Sequence, residues 1–284
     1  MRRKSAKVVV FTDSTAYLPD ALQNVTVVPL QVTIGERTGP DGEITSAQVV
    51  EALHRKLTVT TSRPSPAEFA TAFRAALDAG ADHVVSVHLS SRLSGTWESA
   101  VLAAQDFGHG VIRVVDSRST GAALGFAVRS AQRCAEAGGT PAAVQDAAVR
   151  TVDRTRTYFY VDTLEFLRRG GRVGAAAAMM ATSLSVKPLL HMLDGQIVPL
   201  EKVRTSSKAI ARLVQLTVAA AGSAEVEVAV QHLGAPERAN ATAEQLRAQI
   251  PHLQNLYIAE LSPVVGAHLG PGGLGTVVSK SLNN

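Results

Sequence analysis

The chain is organised around residues 83–100, HVVSVHLSSRLSGTWESA. The apolar run His83–His88 predicts a buried β-strand, and small and apolar residues at helical spacing predict a helix over Trp97–Ala104. Ser94 and Gly95 lie between them, in a strand-to-helix turn rich in hydroxyl groups. Such a turn can bind an anion through free backbone N–H groups, or Ser94 can simply cap the helix. For this turn alone the capping interpretation is favoured, and only the recurrence of similar turns argues against it.

The order of strand, polar turn and helix recurs along the first half of the chain. Lys7–Phe11 ends in a Thr-Asp-Ser-Thr turn, and Val111–Val115 ends in the polar residues 116–121 before a helix over Ala122–Ala137. This repetition is typical of a parallel sheet, and open α/β sheets bind ligands at the carboxyl ends of their strands. A further strand is predicted over Val25–Val32, at an edge or irregular because of Pro29.

A second hydroxyl-rich turn covers residues 60–66, TTSRPSP. Ser65 and Glu68 have the spacing of a capping box, which predicts a helix starting behind them. Thr61 and Ser62 precede that cap and are not needed for it. They therefore remain available for a ligand.

We place a domain boundary near residue 155. The sequence predicts an N-terminal α/β domain with a parallel sheet over residues 1–155, followed by a smaller α+β domain over residues 156–284. The second domain is expected to hold the strands Tyr158–Val161, Gln196–Val203, Glu225–Gln231 and Asn255–Glu260.

Two segments of the second half are candidates for ligand contact. Ala175–Leu190 is nearly free of charge and contains Met179 and Met180 among small residues, so it predicts either a buried helix, which is favoured, or a wall around a flexible apolar guest. His268 lies in the glycine-rich run Val264–Gly275. At even odds, it is a structural histidine or a ligand contact able to exchange a proton near neutral pH.

Composition excludes several classes of protein. The 284 residues are 46% hydrophobic and only 4% aromatic, with a net charge of +4, and no basic run is interleaved with aromatics, so nucleic-acid binding is not favoured. Cys134 is the single cysteine, which excludes a disulfide framework and a cysteine-rich metal site. No apolar run reaches the roughly 18 residues of a membrane helix. We expect a soluble, cytoplasmic protein without stable membrane insertion.

These motifs together resemble the DegV family. The resemblance runs essentially end to end and rests on motifs in matching order and spacing: residues 12–15 (TDST), 61–65 (TSRPS), 89–96 (LSSRLSGT), 164–173 ending in GGRV, 202–204 (KVR) and 268–272 (HLGPG). It implies a two-domain α/β protein that holds a long-chain fatty acid, such as hexadecanoate, between its domains. It also implies a partner, the ATP-binding subunit of a fatty-acid kinase, that converts the presented carboxylate into an acyl phosphate. A carrier of this kind needs no cofactor or metal and is not itself an enzyme.

The resemblance also implies roles for individual residues. The carboxylate contacts correspond to Thr61 and Ser94, with Ser62 and Gly95 beside them. The adjacent network corresponds to Arg172 and His268. The partner-facing basic residue corresponds to Arg204.

Two other classes of function compete with a lipid carrier. A serine hydrolase would use Ser94 as nucleophile and His268 as base, but Ser94 lacks the Gly-x-Ser-x-Gly elbow and no acid is obviously paired with His268. A nucleotide-binding domain would suit the serine-rich helix starts. However, neither Gly-x-x-x-x-Gly-Lys-Ser/Thr nor Gly-x-Gly-x-x-Gly follows a strand.

Overall fold

The computed structural model describes residues 6–17, 24–179 and 187–281. Its strands are β1 Val8–Asp13, β2 Val25–Val28, β3 Gln31–Ile34, β4 Arg37–Pro40, β5 Val59–Ser62, β6 His83–His88, β7 Ile112–Asp116, β8 Thr155–Tyr160, β9 Lys187–Leu193, β10 Gln196–Val203, β11 Val226–His232, β12 Leu253–Glu260 and β13 Leu274–Lys280. Its helices are α1 Ser46–His54, α2 Pro66–Asp78, α3 Thr96–Ala104, α4 Gly121–Glu136, α5 Pro141–Arg154, α6 Glu165–Arg169, α7 Ser206–Ala221, α8 Pro236–Gln249 and α9 Pro263–Leu269. Residues Gly174–Met179 form a 3₁₀ helix.

A parallel sheet forms the centre of the N-terminal part, in the order β2-β1-β6-β7. Both of its faces are covered, which explains why its strands are continuous apolar runs rather than alternating ones. Phe11 and Val84 pack with α2 and α3 on one face, and Val10 and Val85 pack with α4 and α5 on the other. The carboxyl ends of β1, β6 and β7 therefore share one edge, where the polar turns of the sequence follow.

A mixed sheet of six strands forms the C-terminal part, in the order β10-β9-β8-β13-β11-β12. One face packs on α7 and α8 through residues such as Val228 and Leu213. The other face meets α4, where Ala229 and Val277 contact Phe126. Because α4 also packs on the parallel sheet, it lies between the two sheets. The fold class predicted from the sequence, α/β with a parallel sheet first and further strands and helices after it, is confirmed.

The domain boundary near residue 155 coincides with the start of β8 and stays a prediction. The capping box at Ser65 is confirmed, since its hydroxyl accepts from the backbone of Glu68 and the Glu68 side chain returns to the backbone of Ser65. The predicted strand Val25–Val32 is two strands, β2 at the edge of the parallel sheet and β3 in a small antiparallel sheet of order β4-β3-β5. Pro29, which has no backbone N–H to donate, lies at the break.

The prediction of a helix over Ala175–Leu190 is wrong. A 3₁₀ helix ends at Met179 and β9 begins at Lys187, so the C-terminal end of the range is a strand that pairs with β8 and β10. Alanine-rich composition favours a helix, but the sheet contacts of Leu189 and Leu190 decide the conformation. Of the segment proposed to line a lipid, Ala178 is exposed. Met180 lies outside the described residues, and the placement of the Met179 side chain is not described.

Candidate functional site

A mostly apolar cavity lies between α4, the six-stranded sheet and α9. It encloses about 870 Å³ of empty space, part of it open to solvent. Its apolar wall comes from Leu30, Leu89, Leu93, Phe159, Leu167, Met192, Ile197, Leu261, Val264, Val265, Leu269 and Val277. Small-molecule sites have this character, since they are concave, largely apolar and contain only a few polar groups. We call this space the main cavity.

Four of the polar residues in the wall belong to one cluster, formed by Thr61, Ser94, Arg172 and His268. The Thr61 hydroxyl, on β5, lies 2.9 Å from Nε2 of His268 on α9. Arg172 donates from Nε to the carbonyl oxygen of Leu93 at 2.9 Å and from Nη1 to the carbonyl oxygen of Gly170. Arg172 therefore ties the turn that carries Ser94 to the segment behind α6. We call these four residues the head cluster.

The imidazole of His268 is held neutral. Burial and the neighbouring charge of Arg172 lower the pKa of His268 from 6.5 to about 4. The ring lies against Gly170, where no side chain would fit because an added Cβ would overlap Nδ1. In the described part of the chain, Nδ1 of His268 has no hydrogen-bond partner. His268 thus offers a neutral ring to the cavity and adds no positive charge there.

The lowered pKa of His268 predicts a loss of stability in mild acid. Between about pH 6.5 and pH 4 the unfolded chain binds a proton that the folded chain does not. The contribution of the neutral His268 to the free energy of unfolding is fully present above pH 6.5 and is lost as the pH falls toward 4. Between pH 7 and pH 5 the free energy of unfolding should fall by about 2 kcal/mol from this group.

Urea unfolding at the two pH values checks this prediction. In His268→Gln the change in the free energy of unfolding between the two pH values should be smaller than in the wild type by about 2 kcal/mol. The control His54→Gln, at an exposed position on α1, should show the same change as the wild type. An equal pH dependence in wild type and His268→Gln would show that folding does not lower the pKa of this imidazole.

The remaining predicted site residues do not all line the main cavity. Ser94 lines the cavity, and its Oγ lies 2.9 Å from Oγ1 of Thr96. Gly95 is the N-cap of α3 and has no room for a side chain because the guanidinium of Arg63 packs on it, donating to its carbonyl oxygen at 3.2 Å. Ser62 is exposed on β5 and does not line the cavity. Arg204 is exposed just after β10, also outside the cavity.

Ser94 is not the N-cap of α3, because Gly95 holds that position, but the Ser94 hydroxyl accepts from the backbone N–H of Thr96, the first residue of the helix, at 3.3 Å. The other hydroxyls of the turn have structural partners. Ser90 is fully buried and donates to the carbonyl oxygen of Gly195 at 2.7 Å, and Ser91 donates to Oδ2 of Asp116 at 2.6 Å. Ser94 is therefore the hydroxyl of this turn that faces the cavity.

A buried hydrogen-bond network holds this turn in place. Oδ2 of Asp13 accepts from the backbone N–H of Leu89 at 2.8 Å and lies 3.0 Å from Nδ1 of His88, whose Nε2 is 2.6 Å from the Ser86 hydroxyl. The sequence analysis missed this link, because Asp13 and His88 are 75 residues apart and meet only where β1 and β6 end side by side. The order Ser-His-Asp resembles a catalytic triad, but all three side chains are fully buried and none lines the main cavity. The network positions the turn that carries Ser94.

The head cluster does not support the hydrolase alternative. A nucleophilic serine needs a base within hydrogen-bond distance and a group that orients that base. Nε2 of His268 faces Thr61 rather than Ser94, and the described residues supply no acid to its Nδ1. The arrangement is that of a binding site.

Two further spaces adjoin the main cavity. The front groove shares Thr61, Arg172 and His268 with it and adds exposed residues such as Lys56 and Arg169. The rear cavity shares Thr157 and Met192 with it. The head cluster therefore lies where the main cavity meets the front groove.

Comparison with known proteins identifies the family. Residues 7–281 match the family model described as "Uncharacterised protein, DegV family". This chain belongs to the DegV family. A DegV domain-containing protein of Streptomyces coelicolor is 49% identical to it over 279 residues, which cover 97% of this chain and 99% of that protein.

Two solved DegV structures have the same fold. A DegV family protein from Thermus thermophilus, described for its fatty acid binding, superimposes with a TM-score of 0.91 at 33% identity, covering 97% of this chain and 100% of that chain. DegV of Bacillus subtilis, described as a fatty acid binding protein, gives a TM-score of 0.89 at 33% identity, covering 98% of this chain and 100% of that chain. Within the described residues, no helix is both long and apolar enough to cross a membrane.

Proposed function

We propose that this DegV protein binds one long-chain fatty acid, such as hexadecanoate, with its carboxylate at the head cluster and its tail in the main cavity. The observation that carries this proposal is a cavity with an apolar wall and a compact set of hydrogen-bonding groups beside the front groove. The fatty acid binding described for the relatives from Thermus thermophilus and Bacillus subtilis supports it.

The head cluster suits a carboxylate. An unpaired charge in apolar surroundings is very costly, so the carboxylate needs donors. The hydroxyls of Thr61 and Ser94 and the backbone N–H of Gly95 can supply them, and the cation of Arg172 adds a favourable charge. Thr61 can donate its one hydroxyl hydrogen to the carboxylate when the neutral His268 ring carries its proton on Nε2, because Nε2 then donates to the Thr61 oxygen. The carboxylate is thereby satisfied without an obligatory ion pair.

The apolar wall suits the tail. Burying hydrocarbon contributes about 0.8 kcal/mol per methylene, so a long tail supplies most of the affinity. The head cluster then sets the register of the chain in the cavity.

Isothermal titration of delipidated protein with hexadecanoate tests this proposal. We expect one site per chain and no hydrolysis of a matched long-chain ester. Failure to bind any long-chain fatty acid, or rapid ester hydrolysis that depends on Ser94, would contradict it.

We further propose that the bound carboxylate is presented to the ATP-binding subunit of a fatty-acid kinase. In that step a carboxylate oxygen attacks the terminal phosphorus of ATP, the bond to the bridging oxygen breaks, and acyl phosphate and ADP are the products. The front groove supports this proposal because it reaches Thr61 and His268 from the exposed residues Lys56 and Arg169. A carrier that works with ATP is expected in the cytoplasm, without a cofactor of its own.

Arg204 is proposed to contact this partner. It is exposed and lies outside the main cavity, so Arg204→Ala should slow acyl-phosphate formation about tenfold while hexadecanoate affinity stays at the wild-type value, the loss being that of one charged contact. Kinase-coupled turnover and titration with hexadecanoate, measured side by side, check this. Arg156→Ala, at another exposed arginine, is the matched control. Equal loss in both assays, or equal slowing in both variants, would contradict the assignment.

A further inference from the structure

A second polar group lines the main cavity, apart from the head cluster. It consists of Thr120, the residue before α4, and Gln231 on β11. Both belong to the part of the wall that is formed by α4 and the six-stranded sheet. The proposed carboxylate site does not use either residue.

The amide of Gln231 is held in one orientation. The side chain is only 5% exposed, and Oε1 accepts from the backbone N–H of Ala122 at 3.0 Å. Because that contact requires an oxygen, the amide nitrogen must occupy the other position. Gly121 permits the close approach, since a Cβ at that position would lie 2.6 Å from Oε1. The amide nitrogen, Nε2, has no hydrogen-bond partner among the residues that the structure describes.

The hydroxyl of Thr120 is also unpaired. Thr120 is the N-cap of α4, but its side chain accepts no hydrogen bond from the helix. Its Oγ1 is buried and has no partner within the described ranges. Thr120 and Gln231 thus place a fixed N–H donor and a hydroxyl, which can donate or accept, on either side of Gly121 and Ala122.

These groups lie on the side of the main cavity that adjoins the rear cavity. Ser119 and Ala123, on either side of Thr120 and Gly121, line the rear cavity, which adjoins the main cavity at Thr157 and Met192. The head cluster instead adjoins the front groove. An unpaired buried donor is costly, so two such groups in one apolar wall point to an oxygen atom on the ligand.

We propose that the main cavity is built for a fatty acid that carries a hydroxyl group along its chain. The hydroxyl oxygen accepts from Nε2 of Gln231, and its hydrogen is donated to Oγ1 of Thr120. This inference rests on the proposed fatty-acid binding and narrows its ligand class. A plain hydrocarbon tail leaves both groups unpaired, whereas a hydroxyl at the matching carbon satisfies them.

The test compares affinities for hexadecanoate and for hexadecanoates that carry one hydroxyl at successive carbons of the chain. The wild type should bind the acid hydroxylated at one carbon, or at either of two adjacent carbons, about tenfold more tightly than the acids hydroxylated elsewhere. Thr120→Val, which keeps the branched shape, should reduce this ratio about tenfold. Gln231→Met should reduce it by a similar factor. If Gln231→Met does not fold because it has lost the contact to Ala122, Thr120→Val still provides the test. Thr242→Val on α8 is the matched control, because its hydroxyl is also buried and unpaired among the described residues but lies outside the cavity.

The outcomes separate this inference from the proposed function. A hydroxyl preference that disappears in Thr120→Val but persists in Thr242→Val supports it. Tight binding of hexadecanoate with uniformly weaker binding of every hydroxylated acid overturns the hydroxyl subsite and leaves fatty-acid binding intact. A preference that survives Thr120→Val and Gln231→Met also overturns it, since the oxygen is then held elsewhere. Failure of hexadecanoate and all hydroxylated acids to bind overturns both.

Discussion

Gly275→Phe is expected to weaken hexadecanoate binding about a hundredfold and to shift the preference toward shorter acids. Gly275 is on β13 and lines the main cavity. A Cβ added there meets Cβ of Phe159 at 3.4 Å, an ordinary contact, so the first atom fits and the ring must enter the cavity. If the ring displaces roughly four methylenes of the tail, the loss is about 3 kcal/mol, which corresponds to about a hundredfold in affinity.

Titration with acids of increasing length checks this expectation. Gly275→Ala is the matched control, because it adds only the atom that fits and should change the length profile little. A profile in Gly275→Phe that equals the wild type for every acid would show that the tail does not occupy this part of the cavity.

Thr61→Val combined with Ser94→Ala should lower hexadecanoate affinity about a hundredfold or more. Each substitution removes one hydroxyl donor from a carboxylate, and a hydrogen bond to a charged group contributes about 1.5–3 kcal/mol. The Thr61 change also leaves Nε2 of His268 without its 2.9 Å partner. The turn itself should persist, because Asp13 and Ser90 hold it through contacts that do not involve Ser94.

A neutral ligand separates the head cluster from the tail site. Affinity for hexadecan-1-ol, which has the same tail and no charge, should fall much less in the double variant than affinity for hexadecanoate. Thermal unfolding monitors the fold of each variant. An equal loss for acid and alcohol, or unchanged affinity for the acid, would contradict the assignment of the carboxylate to Thr61 and Ser94.

Much of the fold was predictable because its signals are local. The buried runs at β1, β6 and β7 are continuous and apolar, each ends in a polar turn, and a helix follows β6 and β7, which is sufficient to predict a parallel sheet. The hydroxyl groups of Thr61 and Ser94 were noticed because each lies in a hydroxyl-rich stretch before a helix, although Thr61 is on β5 rather than in the predicted turn. Whether they contact a ligand stays a prediction that the experiments above test.

Other features depend on contacts between distant residues and leave no local signal. β13 was not predicted because residues 274–280, LGTVVSK, follow a glycine-rich run that suggested only a turn, and its partners are β8 and β11. His268 was expected in that turn but lies on α9, where Ser262 caps the helix. Gln231 is one polar residue in an apolar strand, and nothing in the sequence indicates that α4 presents Ala122 to it.

Denaturing mass spectrometry of the organic extract from purified protein tests the central claim most directly. The account predicts about one long-chain fatty acid per wild-type chain. It predicts much less, or shorter acids, from Gly275→Phe purified in the same way. An extract without fatty acid, from protein that also fails to bind added hexadecanoate, would contradict it.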